Sequence, residues 1–200
     1  MTGIKGVSPA PGKYLYRSFE NKNVLDPRMA KRLTIQVLLA LDYLHSQNLA
    51  FLCLNPENVL IDGNYNAKLC HFLSVRPFKD GQMLCNAANT FISYSPMELA
   101  FAKTCDPRKV DTYMAGMTYT MFLSGLFPVL EKDWSAFRSR NQPNTITLPE
   151  KIKREGKELS QEETDVLWSR AKTVISKMLS ENPTERALPR ECLRDPAFRP

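Results

Sequence analysis

The chain has 200 residues, 43% of them hydrophobic and 24% charged, with a formal net charge of +6 and a pI of about 9.1. That length fits one domain with a substantial core, and the hydrophobic share is ordinary for a globular protein. No apolar run is long enough to cross a bilayer, and Met1-Thr2-Gly3-Ile4-Lys5-Gly6 lacks both the apolar core of a signal peptide and the myristoylation pattern. No membrane partner is therefore expected, and cytosol or nucleus is the expected compartment. Cys53, Cys70, Cys85, Cys105 and Cys192 form an odd, scattered set without a C-x-x-C pair. They read as reduced, mostly buried thiols and not as a zinc site or disulfide framework. The basic residues are dispersed. Their densest runs, Lys151-Ile152-Lys153-Arg154 and Arg138-Ser139-Arg140, read as solvated faces with no interleaved aromatics, so nucleic acid is not an expected partner.

Residues 1–12, rich in Gly and Pro, read as coil, and 13–200 as a single domain. Leu15, Tyr16 and Phe19 suggest one or two helical turns within 13–22. Asp26 followed by Pro27 is a helix start, a capping residue before Pro at the first helical position. The helix should run to about Ser46, with Leu33, Val37, Leu41 and Leu44, joined by Met29, Leu38 and Tyr43, as its buried stripe. Val59-Leu60-Ile61 and Ala67-Lys68-Leu69-Cys70 are short strand candidates around an Asp62-Gly63-Asn64 turn. Residues 74–94 read as a polar loop. A second long helix, apolar nearly all round, is expected through Met121-Phe122-Leu123 to about Ser124-Gly125. A short helix is expected over 133–140, and irregular chain over 141–160, where Pro143 and Pro149 oppose a helix. Ser160-Gln161-Glu162-Glu163 fits a capping box opening a helix to about Leu179, with Val166, Leu167, Ala171, Val174, Ile175, Met178 and Leu179 inward. A last short helix is expected from Pro189 to Asp195.

Between the first helix and the loop lies Phe51-Leu52-Cys53-Leu54-Asn55-Pro56-Glu57-Asn58, then Ala67-Lys68-Leu69-Cys70-His71-Phe72-Leu73. Further on come Ser95-Pro96-Met97-Glu98-Leu99, Asp111-Thr112-Tyr113-Met114-Ala115-Gly116 and Asn182-Pro183-Thr184-Glu185-Arg186. In order and spacing these resemble the large lobe of eukaryotic Ser/Thr protein kinases: the H-R-D-L-x-x-x-N loop, D-F-G, A-P-E, D-x-W-x-x-G and the D-P-x-x-R-P tail. The resemblance runs from about Lys13 to Phe198 and implies a mostly α C-terminal lobe with a short β-hairpin at the cleft. Upstream there is no glycine-rich loop and no strand bearing the phosphate-pairing Lys, so the N-terminal sheet lobe is expected to be absent. The start at Met1 slightly favours a complete, shortened product over a fragment.

The resemblance also implies roles. Asp111 should be a buried carboxylate receiving backbone N–H groups of the catalytic loop, Glu98 should pair with Arg186, and Phe51 and Phe72 should stand in an internal apolar column. At the chemical positions the sequence departs from the family. The loop Asp that handles the substrate hydroxyl is Cys53, the loop Lys is Asn55, and the metal-binding Asp is His71; only Asn58 is kept. A thiol with a reference pKa of about 8.5 is mostly neutral at pH 7 and replaces a carboxylate poorly. Magnesium prefers oxygen to imidazole nitrogen. Losing a positioned base alone costs about two to four orders of magnitude in rate. The expectation is a catalytically inactive, pseudokinase-type module that binds protein partners, without ATP, magnesium or another cofactor. One alternative is a divergent Ser/Thr kinase needing a small lobe supplied in trans. Another pairs Cys53 with His71 as nucleophile and base in one cleft, with no third orienting residue evident.

Overall fold

The computed structural model describes residues 13–14, 25–85, 94–96, 98–99, 102–124, 153–154, 157–158 and 160–199. The expected coil over 1–12, the helical turns suggested by Leu15, Tyr16 and Phe19, and the helix over 133–140 lie outside these residues.

Helix α1 spans Pro27–Ser46. The Asp26 carboxylate accepts the Arg28 N–H at 2.8 Å, and Pro27 supplies the preset φ of a first helical residue. Ala30, Leu33, Val37, Leu38 and Leu41 are buried along one face. Tyr43 does not join them: it is 67% exposed, because two residues past Leu41 the 3.6-residue repeat has turned to solvent.

Helix α2 spans Pro107–Ser124 and begins before Asp111, where the resemblance to D-x-W-x-x-G places its opening. The cause is a second Asp-Pro start: Asp106 Oδ1 accepts the Arg108 N–H at 3.0 Å ahead of Pro107. From Val110 to Leu123 its residues are buried, so this helix is the middle of the molecule. Helix α3 spans Gln161–Met178 and opens on the capping box: Glu163 N–H donates to Ser160 Oγ at 3.2 Å, and Ser160 N–H donates to Glu163 Oε2 at 3.0 Å. Ala171, Val174, Ile175, Met178 and Leu179 face inward, but Val166 is 48% exposed because the first turns of α3 run past the core. Where α3 meets α2 there is no room for a side chain: a Cβ on Gly116 would sit 2.9 Å from Leu179 Cδ2 and from Met178 Cβ. Helix α4 spans Pro189–Cys192, shorter than expected, and a 3-10 turn follows at Pro196–Phe198.

The strands are short and antiparallel. β1 (Lys13–Tyr14), β3 (Val59–Ile61) and β4 (Ala67–Leu69) form one sheet in the order β1-β3-β4, with Lys13 opposite Ile61 and Val59 opposite Leu69. Lys13–Tyr14 is thus a strand that satisfies the free edge of β3. Asp62 makes the turn between β3 and β4, its Oδ1 accepting the N–H groups of Asn64 and Asn66 at 2.9 and 3.0 Å. β2 (Leu49–Ala50) pairs with β5 (Arg76–Pro77), and β6 (Met83–Leu84) with β7 (Thr104–Cys105). The segment read as loop is therefore tied down up to Cys85. β8 (Lys153–Arg154) and β9 (Lys157–Glu158) form a hairpin inside the stretch read as irregular. No helix among the described residues is long and apolar enough to cross a membrane.

Candidate functional site

β2 delivers the chain into Phe51, Leu52, Cys53 and Leu54, all buried, before it turns at Asn55. Asn55 is the cap of the 3-10 turn Pro56–Asn58. Its Oδ1 accepts the Glu57 N–H at 2.9 Å and the Asn58 N–H at 3.1 Å, and the residue is 2% exposed. That oxygen is spent on the turn and offers no charge to the cleft. The Asn-Pro pair at the head of the turn is the same cap signal as Asp26-Pro27.

The loop is held from below by Asp111. This carboxylate is fully buried, and its Oδ2 and Oδ1 accept the N–H groups of Phe51 and Leu52 at 2.8 and 2.7 Å. His45, in the last turn of α1, adds a third contact, Nε2 to Asp111 Oδ2 at 2.8 Å. A buried carboxylate is costly unless its lone pairs are filled, and here the donors also fix the loop's path. Leu52 sits at φ +58°, a left-handed conformation that this pair of bonds enforces. The sequence pattern does not mark His45, whose partner is 66 positions away.

Cys53, Asn58 and His71 come together. Asn58 Nδ2 donates to the Cys53 carbonyl at 2.6 Å and lies 3.1 Å from Cys53 Sγ. The donation to a carbonyl fixes the orientation of the carboxamide, so Oδ1 is the acceptor facing His71 Nδ1 at 2.6 Å, and that nitrogen carries the proton. Asn58 is thus the common partner of the other two, and the Cys53 thiol meets a carboxamide nitrogen, not an imidazole. His71 itself stands at φ 61°, ψ 57° at the end of the hairpin and is exposed. Cys70 Sγ lies 3.6 Å from His71 Nδ1; burial, and then the neighbouring Cys53, push the Cys70 thiol above its ordinary pKa. Phe51 and Phe72 meet edge to face, centroids 5.5 Å apart at 77°. Phe51 is fully buried, but Phe72 is 47% exposed, so this end of the apolar column opens to the cleft. Among the described residues no group of three or more His, Cys, Asp or Glu is placed to hold a metal ion.

Away from the cleft, Arg186 is 1% exposed. Its Nη1 donates to Glu98 Oε1, its Nη2 to Glu98 Oε2 at 3.4 Å, and its Nε to the Ser180 carbonyl at 2.9 Å. Nη1 also reaches the Lys109 carbonyl at 3.1 Å, and the guanidinium lies 4.9 Å from the Tyr113 ring centre. One side chain thereby joins the Glu98 segment, α2 and the turn after α3.

A helical lobe packed around a buried α2, with a hairpin and a loop fixed on Asp111, defines a protein-kinase-type architecture. The protein kinase domain family matches residues 8–198, and the chain belongs to that family. The chain is 25% identical over 191 residues to the carbon catabolite-derepressing protein kinase of Candida tropicalis, covering 94% of this chain and 28% of that one. It is 26% identical over 174 residues to sucrose non-fermenting protein kinase 1 of Fusarium virguliforme, covering 84% of this chain and 22% of that one. To sperm motility kinase Z of Mus musculus it is 28% identical over 119 residues, 60% of this chain and 24% of the relative. The chain thus spans less than a third of the length of these relatives.

Proposed function

We propose that this chain is a pseudokinase-type module: the large lobe of a protein kinase, inactive in phosphoryl transfer and acting by binding other proteins. The observation that carries the proposal is the closed set Cys53–Asn58–His71. The carboxamide oxygen that could face a cation accepts the His71 N–H at 2.6 Å, and its nitrogen is held by Cys53. The family implies ATP with magnesium, and these residues do not fit that pair. A hard cation needs oxygen ligands, and the donors here are an imidazole, a thiol and one occupied amide. A general base is missing as well, since Cys53 offers a thiol beside an amide nitrogen.

In this reading Asp111, Glu98 and Arg186 keep the lobe's shape, and residues 13–200 act as one unit. The test is transfer of labelled γ-phosphate from ATP to a mixed peptide substrate, with and without magnesium, beside a thermal-shift measurement with the same ligands. The expected outcome is no transfer and no shift of the midpoint, since a ligand that binds the folded state must raise it. Transfer that disappears in Cys53→Ala or Asn58→Ala would sink the proposal. It would favour the second reading, a divergent Ser/Thr kinase whose small lobe comes from elsewhere, which the kinase names of the relatives support.

A further inference from the structure

Beside the cleft, and separate from the Cys53–Asn58–His71 set, lies a groove of about 510 Å³. That volume is in the range of sites that receive a side chain or small ligand. Leu52, Phe78 and Leu99 are buried beneath it, and Leu84, 77% exposed, forms its open wall. Its walls are firm: β5 is paired with β2, β6 with β7, the Phe78 N–H is bonded to the Asn48 carbonyl at 3.0 Å, and Lys79 and Gln82 are bridged. Two cations, Arg76 and Lys79, stand on its rim, and among the described residues none that lines it is acidic. Arg76 is held by Nη1, which donates to the Leu73 and Val75 carbonyls at 3.0 Å each. Among the described residues neither Arg76 nor Lys79 has an ion-pair partner.

We infer that this groove is a docking site for an extended peptide of a partner protein, in which a bulky apolar side chain is flanked by carboxylates. An apolar floor at Leu52, Phe78 and Leu99 gains from burying such a side chain. The two rim cations select acidic neighbours and reject basic ones. The inference deepens the protein-binding reading and rests on it for the class of partner. It needs no statement about phosphoryl transfer, so a positive transfer assay and a failed docking assay are separate results.

The experiment is fluorescence anisotropy of the full chain with a labelled peptide Asp-Glu-Phe-Leu-Asp-Glu. Two comparison peptides are used, Lys-Lys-Phe-Leu-Lys-Lys and Asp-Glu-Ser-Ser-Asp-Glu, and far-UV circular dichroism checks each variant's fold. Saturable binding of the first peptide, at least tenfold tighter than either comparison, is expected. Arg76→Glu should weaken it about tenfold or more, Lys79→Glu should do the same through a side chain outside the core, and Leu84→Asp should weaken it by removing the wall. Added salt should weaken the wild-type complex. No binding, equal binding of the basic peptide, or indifference to all of these substitutions overturns the inference. So does displacement by inorganic phosphate with equal binding of Asp-Glu-Ser-Ser-Asp-Glu, which would make the rim a bare anion site. A concentration-dependent dimer that excludes the peptide would give the groove to a second copy of the chain, and overturns it too.

Discussion

Asp111 concentrates the consequences at the scale of single residues. It accepts two backbone N–H groups and faces a histidine, all in the interior. Asp111→Ala would strand these donors, each at a cost of about 1–3 kcal/mol. The expected loss is therefore above about 3 kcal/mol, read from the urea midpoint at an unchanged slope. A loss under about 1 kcal/mol would mean that the loop does not depend on this carboxylate. Arg186→Ala leaves Glu98 facing an emptied interior and should cost about 3–5 kcal/mol by the same measurement. Much of this site can be read in the chain itself. Cys53, Asn55 and His71 occupy positions set by local spacing, so their chemistry follows from identity alone. His45 cannot be found that way, because its partner is reached only when α1 and α2 pack. Nor does identity reveal that Asn58 is bonded to both Cys53 and His71, since that depends on the hairpin carrying His71 back over the loop.

Helices and strands differ in what betrays them. α1 and α3 start at side chains that cap their own backbone, a signal contained within a few adjacent residues. Two-residue strands such as β5 and β7 carry no period of their own; they exist because a distant edge offers hydrogen bonds. The contact between α2 and α3 is close enough to be tested with one methyl group. Gly116→Ala places a Cβ 2.9 Å from Leu179 Cδ2 and Met178 Cβ and should cost about 1–3 kcal/mol in chemical denaturation, despite alanine's better helix propensity. The end of α3 is joined to the last turn by Lys177, whose Nζ lies 2.6 Å from Asp195 Oδ2. Burial pushes the Asp195 carboxyl up, but the Lys177 ammonium and the Ala197 N–H outweigh it and hold the pKa below the ordinary carboxylate value. A lowered folded pKa gives stability that is present above the unfolded value, about 3.9, and lost as pH falls through the folded one. Asp195→Asn keeps an acceptor for the Ala197 N–H and removes the charge. The variant should be less stable than wild type at pH 6, and the gap in urea midpoint should close on acidification below about pH 4. A gap that stays constant with pH would remove the charge from the explanation.

For the molecule as a whole, the retained features are those that hold one shape. Buried α2, the Arg186 junction and the Asp111-bound loop keep a rigid body, while the cleft holds a thiol and an imidazole on one amide. If the fold needs neither cation nor nucleotide, as proposed above, it should also be indifferent to chelators. Its melting midpoint in EDTA should equal that in magnesium, and a drop in EDTA would reveal a bound divalent ion.

The placement of β1 has a practical side for anyone shortening this protein. Lys13–Tyr14 covers the outer rung of the three-stranded sheet, and β3 is its middle member. Removing everything before Leu25 would bare a row of backbone donors and acceptors beside the valine and isoleucine of β3, an invitation to intermolecular strand addition. Such a truncation should remain folded around α2 yet form soluble clusters visible by light scattering, where the 200-residue chain should run as a single species.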